Sequence, residues 1–137
     1  MKYMCLVYHD EGQLDAMPEA DHDAHIRVCA GWVADLHANG RHVYSAGLQS
    51  GRTAATVRIR EGGLTATDGP FAETKEVLLG LTIIEARDLN DAIQVAGKLD
   101  AARLGAVEVR PILDLDEEPS EPSDRRRIAA IRRNIPA

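Results

Sequence analysis

Aromatic side chains are scarce in this sequence. There are five in 137 residues, Tyr3, Tyr8, Trp32, Tyr44 and Phe71, so a core has to be assembled mainly from Ala, Val, Leu and Ile. Cysteine is scarcer still. Cys5 and Cys29 are too few for a disulfide framework, and a reducing cytoplasm is the default setting. No apolar stretch reaches the roughly eighteen residues of a membrane span. The start, MKYMCLVYHD, has neither the apolar length nor the small-residue cleavage site of a secretory signal. Positive charge is in deficit, and a net charge of −6 argues against generic nucleic-acid binding. A Walker loop, a dinucleotide-binding glycine fingerprint, G-x-S-x-G and C-x-x-C are all missing, and no cofactor is expected. What is present, 45% hydrophobic and 28% charged residues, is the balance of one soluble globular domain.

The charge is unevenly spread. Residues 114–124 (DLDEEPSEPSD) hold six acids and two prolines, and residues 125–133 hold five arginines and no acid. The acidic stretch has little to bury, and its prolines block regular pairing, so it reads as a linker. The expected organisation is a domain over 1–113, a linker over 114–124 and a basic amphipathic helix over 125–137. Ile128, Ile131 and Ile135 supply the apolar positions of that helix. Docking on the acidic body of its own dimer and contact with a partner are both open to it.

Within the body, hydrophobic periods switch in a telling order. Tyr3 to Tyr8 reads as a strand. Ile26, Cys29, Val33 and Leu36 recur at helical spacing between Pro18 and the stop signal Asn39-Gly40. His42 to Leu48 is a second strand. Thr53 to Arg60 and Leu64 to Thr67 form a hairpin about a tight turn at Gly62-Gly63. Val77 to Ala86 is a long apolar strand, Asp88 caps a second helix, and Ala106 to Leu113 closes the body. This is an α+β, ferredoxin-like split βαβ pattern with an added β-hairpin. Val77, Leu79, Leu81 and Ile83 lie on one parity of the long strand, and Leu78 and Ile84 on the other. Helices on one side of the sheet would leave the second set in water. A homodimer through the sheet face is therefore expected.

The segment TATDGPFAETKE, residues 65–76, joins strong turn chemistry at Asp68-Gly69-Pro70 to a cluster of charges and then to a buried strand. Asp68 to Glu76 reads DGPFAETKE, and on it the chain resembles the DGPFAETKE family of YCII-related proteins. The opening MKYMCLVYHDE, Thr56-Val57-Arg58 and the closing run Ala106 to Ile112 resemble that family in order and spacing, over roughly 1–113. The resemblance implies a dimeric α+β barrel of ferredoxin-like protomers. It implies less about activity. Many such proteins are uncharacterised, and some are encoded beside extracytoplasmic-function sigma factors. Related YCII-type domains include a dehalogenase of a chlorinated muconolactone with a supposed His–Asp catalytic pair.

Candidate chemistry centres on Asp68 as a general acid or base at the rim of a dimer cleft, with His9 at the end of the first strand as its partner. The structural alternative for Asp68 is an Asx-turn residue. Arg58 and Arg110 are candidates to hold an anion, joined by Phe71, Glu73 and Lys75 as substrate-binding residues. The alternative for the arginines is pairing with Glu73, Glu76 or Glu108. His22 and His25 form an i,i+3 pair among acids, but no third ligand stands at a diagnostic spacing and no metal is expected. His25 also offers itself for the histidine of the YCII-type pair, since that residue too lies on the first helix. Cys5 and Cys29 read as small buried hydrophobes. Two functions follow as expectations. One is a small-molecule-binding protein or enzyme acting on a small carboxylate-bearing or cyclic substrate. The other is a non-catalytic regulatory or interaction module, linked to sigma-factor regulation, that contacts a partner through the arginine-rich helix.

Overall fold

The structure is a computed structural model that describes residues 1–72 and 74–136. Its elements are β1 (Lys2–Asp10), α1 (Glu11–Ala16), α2 (Glu19–Ala38), β2 (His42–Gly47), β3 (Ala55–Arg60), β4 (Gly63–Asp68), β5 (Glu76–Glu85), α3 (Leu89–Ala96), α4 (Ala101–Leu104), β6 (Ala106–Pro111) and α5 (Pro122–Asn134). Four strands form an antiparallel sheet in the order β2-β5-β1-β6, and β3-β4 form a separate two-stranded sheet. The large sheet has the split βαβ arrangement expected of a ferredoxin-like domain: β1 lies between β5 and β6, and β5 between β1 and β2.

One face of the sheet carries the core. Tyr3, Cys5 and Ile84 from the strands are buried with Trp32 and Leu36 of α2 and Ala92 and Ala96 of α3. The two helices are fixed to one another by a single polar contact, in which the Trp32 indole N–H donates to the Val95 carbonyl at 2.9 Å. Asp88 caps α3 as expected, accepting from the Asp91 amide at 2.8 Å. The helix stops at Ala96, and the chain then makes a second short helix, α4. Helix α1 had no apolar period to announce it. Asp10 caps it by accepting from the Gln13 amide at 3.3 Å.

A β-bulge refines the parity of the long strand. Val7 pairs with Gly80 and Tyr8 with Leu78, so Leu79 is the extra residue. Leu78 therefore shares the face of Leu81 and Ile83, away from α2 and α3, while Thr82 and Ile84 face those helices. Apolar residues at both parities are partly the mark of this bulge. The outer face nevertheless remains apolar, with Leu6, Tyr8, Leu81 and Ile83 half-buried.

The hairpin turn is Glu61-Gly62, one residue earlier than expected. Both residues have positive φ, 52° and 75°, as a two-residue type I′ loop requires. Val57, Ile59 and Leu64 share the apolar face of the hairpin, and all are more than 60% exposed. The tail helix α5 buries Ile128 to 2% exposure, and Arg132 donates to the Leu115 carbonyl. No helix among the described residues is long and apolar enough to cross a membrane.

Candidate functional site

Between α2 and the sheet lies an open cavity of about 440 Å³. Its roof is one stripe of α2, in which His22, Ile26, Cys29 and Val33 recur at three- and four-residue intervals. Its floor includes Val7, Gly80 and Gly47, which lie side by side on the helix-facing side of the sheet. The bulged Leu79 and the hydroxyl residues Ser45 and Thr82 add to the walls. A roomier groove of about 600 Å³ lies between α2 and α3. Its charges neutralise one another, with Arg41 donating to Asp91 at 3.0 Å, and it gathers no imidazole or thiol.

Two buried histidines project into the first cavity. His9 and His25 are each 5% exposed, and their rings meet edge to face with centroids 5.3 Å apart. His25 Nδ1 lies 2.8 Å from Asp100 Oδ2. Asp100 is in turn gripped by Arg103, whose Nε and Nη2 donate at 2.9 and 3.1 Å. The hydrogen bonds from Arg103, and then from His25, hold the Asp100 carboxyl below its ordinary range. An ionised carboxylate only accepts. In the neutral imidazole the proton therefore sits on Nδ1, and Nε2 keeps its lone pair. His9 has its pKa lowered, first by burial and then by the neighbouring His25, so it is a neutral partner in this site. Cys29 Sγ lies 3.9 Å from His25 Nε2 and 4.0 Å from Nδ1. The near-equal spacing favours neither nitrogen, and burial pushes the thiol pKa up. Cys29 is a protonated wall of the site rather than an activated nucleophile.

The residues singled out in the sequence fall in three places. His9 is in the cavity. Asp68 ends β4 on the projecting hairpin, is exposed, and does not line the cavity that His9 lines. Arg58 lies on the same hairpin, with its guanidinium over the Phe71 ring at 4.8 Å from the centroid. Lys75 is exposed just before β5. Arg110 pairs with Glu108 on β6. Glu73 lies outside the described residues. The His22/His25 pair does not act as a unit, because His25 turns to Asp100 while His22 stays exposed at the mouth. No cluster of three or more metal-ligating side chains occurs among the described residues.

Asp100 is the residue that sequence reasoning missed. A faint signal existed, in that Asp100 and Arg103 stand three apart at a helix start. What no local pattern carries is the 75-residue separation from His25 that the fold closes.

The domain that builds this cavity is also what known proteins share with the chain. An uncharacterised protein of Rhizobium meliloti (strain 1021) is 36% identical over 121 residues, which span 82% of this chain and 92% of that protein. The family model for the YCII-related domain matches residues 1–116, thereby taking in His9, His25, Asp100 and the sheet that carries them. On both grounds the chain belongs to the YCII-related domain family.

Proposed function

We propose that this protein is a small-molecule enzyme in which His25, oriented by Asp100, takes or gives a proton in the cavity beneath α2. The observation that carries this reading is the 2.8 Å contact between His25 Nδ1 and Asp100 Oδ2 at the wall of a cavity. An imidazole whose far nitrogen is fixed by a carboxylate is a base of defined tautomer and direction. His9 stands beside it as a neutral hydrogen-bonding partner for the reacting group. Arg103 serves as a positioning residue that keeps Asp100 ionised.

Asp68 and Asp100 compete as the carboxylate of the site, and proximity to an imidazole favours Asp100. Asp68, Arg58, Phe71 and Lys75 belong to a hairpin that extends from the protomer, so they take part only where a second copy brings its cavity to them. We infer that two copies pack through the outer sheet face, where Leu6, Leu78, Leu81 and Ile83 lie on the side opposite α2 and α3.

The test is a screen for turnover of small carbonyl, lactone and phenol compounds, followed by substitution at the competing sites. His25→Gln is expected to lower kcat by about 10²–10⁴, the usual size of a general-base contribution, and Asp68→Asn to leave it within about twofold. Loss of activity in Asp68→Asn with His25→Gln unaffected would overturn the assignment.

A further inference from the structure

The floor of the cavity contains two glycines that the backbone does not require. Gly47 and Gly80 face one another across β2 and β5. Neither is among the glycines with positive φ, which are Gly40, Gly62 and Gly69. A Cβ on Gly47 would meet nothing within 4 Å, and one on Gly80 would make ordinary contacts, 3.4 Å to the Ala46 carbonyl oxygen and 4.0 Å to Val7 Cβ. Glycine inside a strand costs stability and commonly marks a close approach by something other than the chain itself. Here the paired glycines leave open the middle of the floor.

The two ends of that floor are polar. Toward one end Ser45 Oγ and Thr82 Oγ1 lie 3.1 Å apart. Toward the other stand His9 and His25. Thr82 is opposite Cys5 in the sheet, and His9 is four residues further along β1. At about 3.3 Å per residue the hydroxyl pair and the imidazole pair are roughly 13 Å apart. Among the described residues that wall the cavity there is no Lys, Arg, Asp or Glu. A ligand carboxylate would be taken from water with no permanently charged Lys or Arg to meet it, at substantial cost.

We propose that the cavity takes an elongated, uncharged, largely apolar ligand, flat enough to lie across the Gly47–Gly80 pair, with one hydrogen-bonding oxygen near the Ser45–Thr82 hydroxyls and its reacting group at His25 and His9. This specifies the substrate class of the site proposed above and rests on that reading. It departs from the carboxylate-bearing substrate that the arginines of the sequence suggested.

Prodan, a neutral naphthyl ketone of suitable length whose emission reports an apolar surrounding, is the probe. Its matched anion is 6-dimethylamino-2-naphthoate. Fluorescence titration of the full chain is expected to give saturable binding of prodan with one site per chain, and binding of the naphthoate weaker by about tenfold or more. Gly47→Val should weaken prodan binding by about tenfold, since the new side chain occupies the floor. Gly80→Ala, which adds one carbon in ordinary contact, should weaken it to a smaller degree and guards against misfolding of the first variant. Arg126→Ala, at a position exposed on α5 and outside the cavity wall, should leave it unchanged. Naphthoate binding as tight as prodan, abolished by Gly47→Val, would overturn the uncharged class while leaving the cavity as the site. Binding of both probes indifferent to Gly47→Val and Gly80→Ala would overturn the site as well.

Discussion

His25 acquires its role from its neighbours. Its Nδ1 is committed to Asp100, Asp100 is committed to Arg103, and the ring forms part of the cavity wall. His9 adds a pH dependence that can be measured without any substrate. Its folded pKa is lowered from 6.5, so the folded state favours the neutral ring. The stability this contributes is complete above the unfolded value near 6.5 and is lost as pH falls through the lowered folded value. Asp100, also lowered, acts in the same sense at more acid pH. Urea denaturation of wild type should therefore weaken as pH drops below about 6.5. In His9→Gln that part of the slope should vanish while the acid part from Asp100 persists. Some of this was legible in the sequence. His25 sits four residues before Cys29 and seven before Trp32, on the inward stripe of α2, so its burial follows from the helical period. Its partner did not follow, because contacts 75 residues apart leave no periodic trace.

At the scale of elements, the order of strands and helices was legible because each carries its own period or cap: the alternation of β3, the stripe of α2 and the Asp88 cap of α3. Features set by pairing geometry were not. The bulge at Leu79 exists only in the register between β1 and β5. Helix α1 has no buried residue and hence no apolar signal. Gly105 shows how tightly the elements around the site meet. A Cβ there would run into the Tyr8 carbonyl oxygen and stand 3.1 Å from His9 Nδ1. The obstacle is backbone rather than a flexible side chain, so strand or loop has to shift. Gly105→Ala is expected to cost about 1–3 kcal/mol, as overpacking does. In the folded fraction it should also perturb the His9 resonances, which two-dimensional NMR would detect. A melting temperature and His9 spectrum unchanged from wild type would contradict the close packing described.

For the whole molecule, the outer sheet face is where the proposed assembly can be tested. Leu6 and Tyr8 of β1 and Leu78, Leu81 and Ile83 of β5 lie together on the side opposite α2 and α3. A second copy laid sheet to sheet removes them from water, with apolar burial worth about 25 cal/mol per Å². Light scattering at micromolar concentration is expected to report twice the 14.9 kDa chain mass. Leu6→Glu, which places a charge at the centre of that face, should shift the protein to monomer with its circular dichroism retained. A wild-type monomer would remove the second copy from the account, and with it any route by which Asp68 and Arg58 reach a cavity.

The central claim, that His25 presents a bare Nε2 to the cavity because Asp100 holds Nδ1, is tested most directly by long-range ¹⁵N–¹H spectroscopy of the imidazoles. The spectrum is best taken at about pH 8.5, well above the ordinary imidazole range. In wild type the His25 ring is predicted to be the Nδ1–H tautomer, and in Asp100→Asn that preference should be lost. A wild-type spectrum showing His25 protonated at Nε2 would contradict the account, because that nitrogen would then have no lone pair with which to accept a proton.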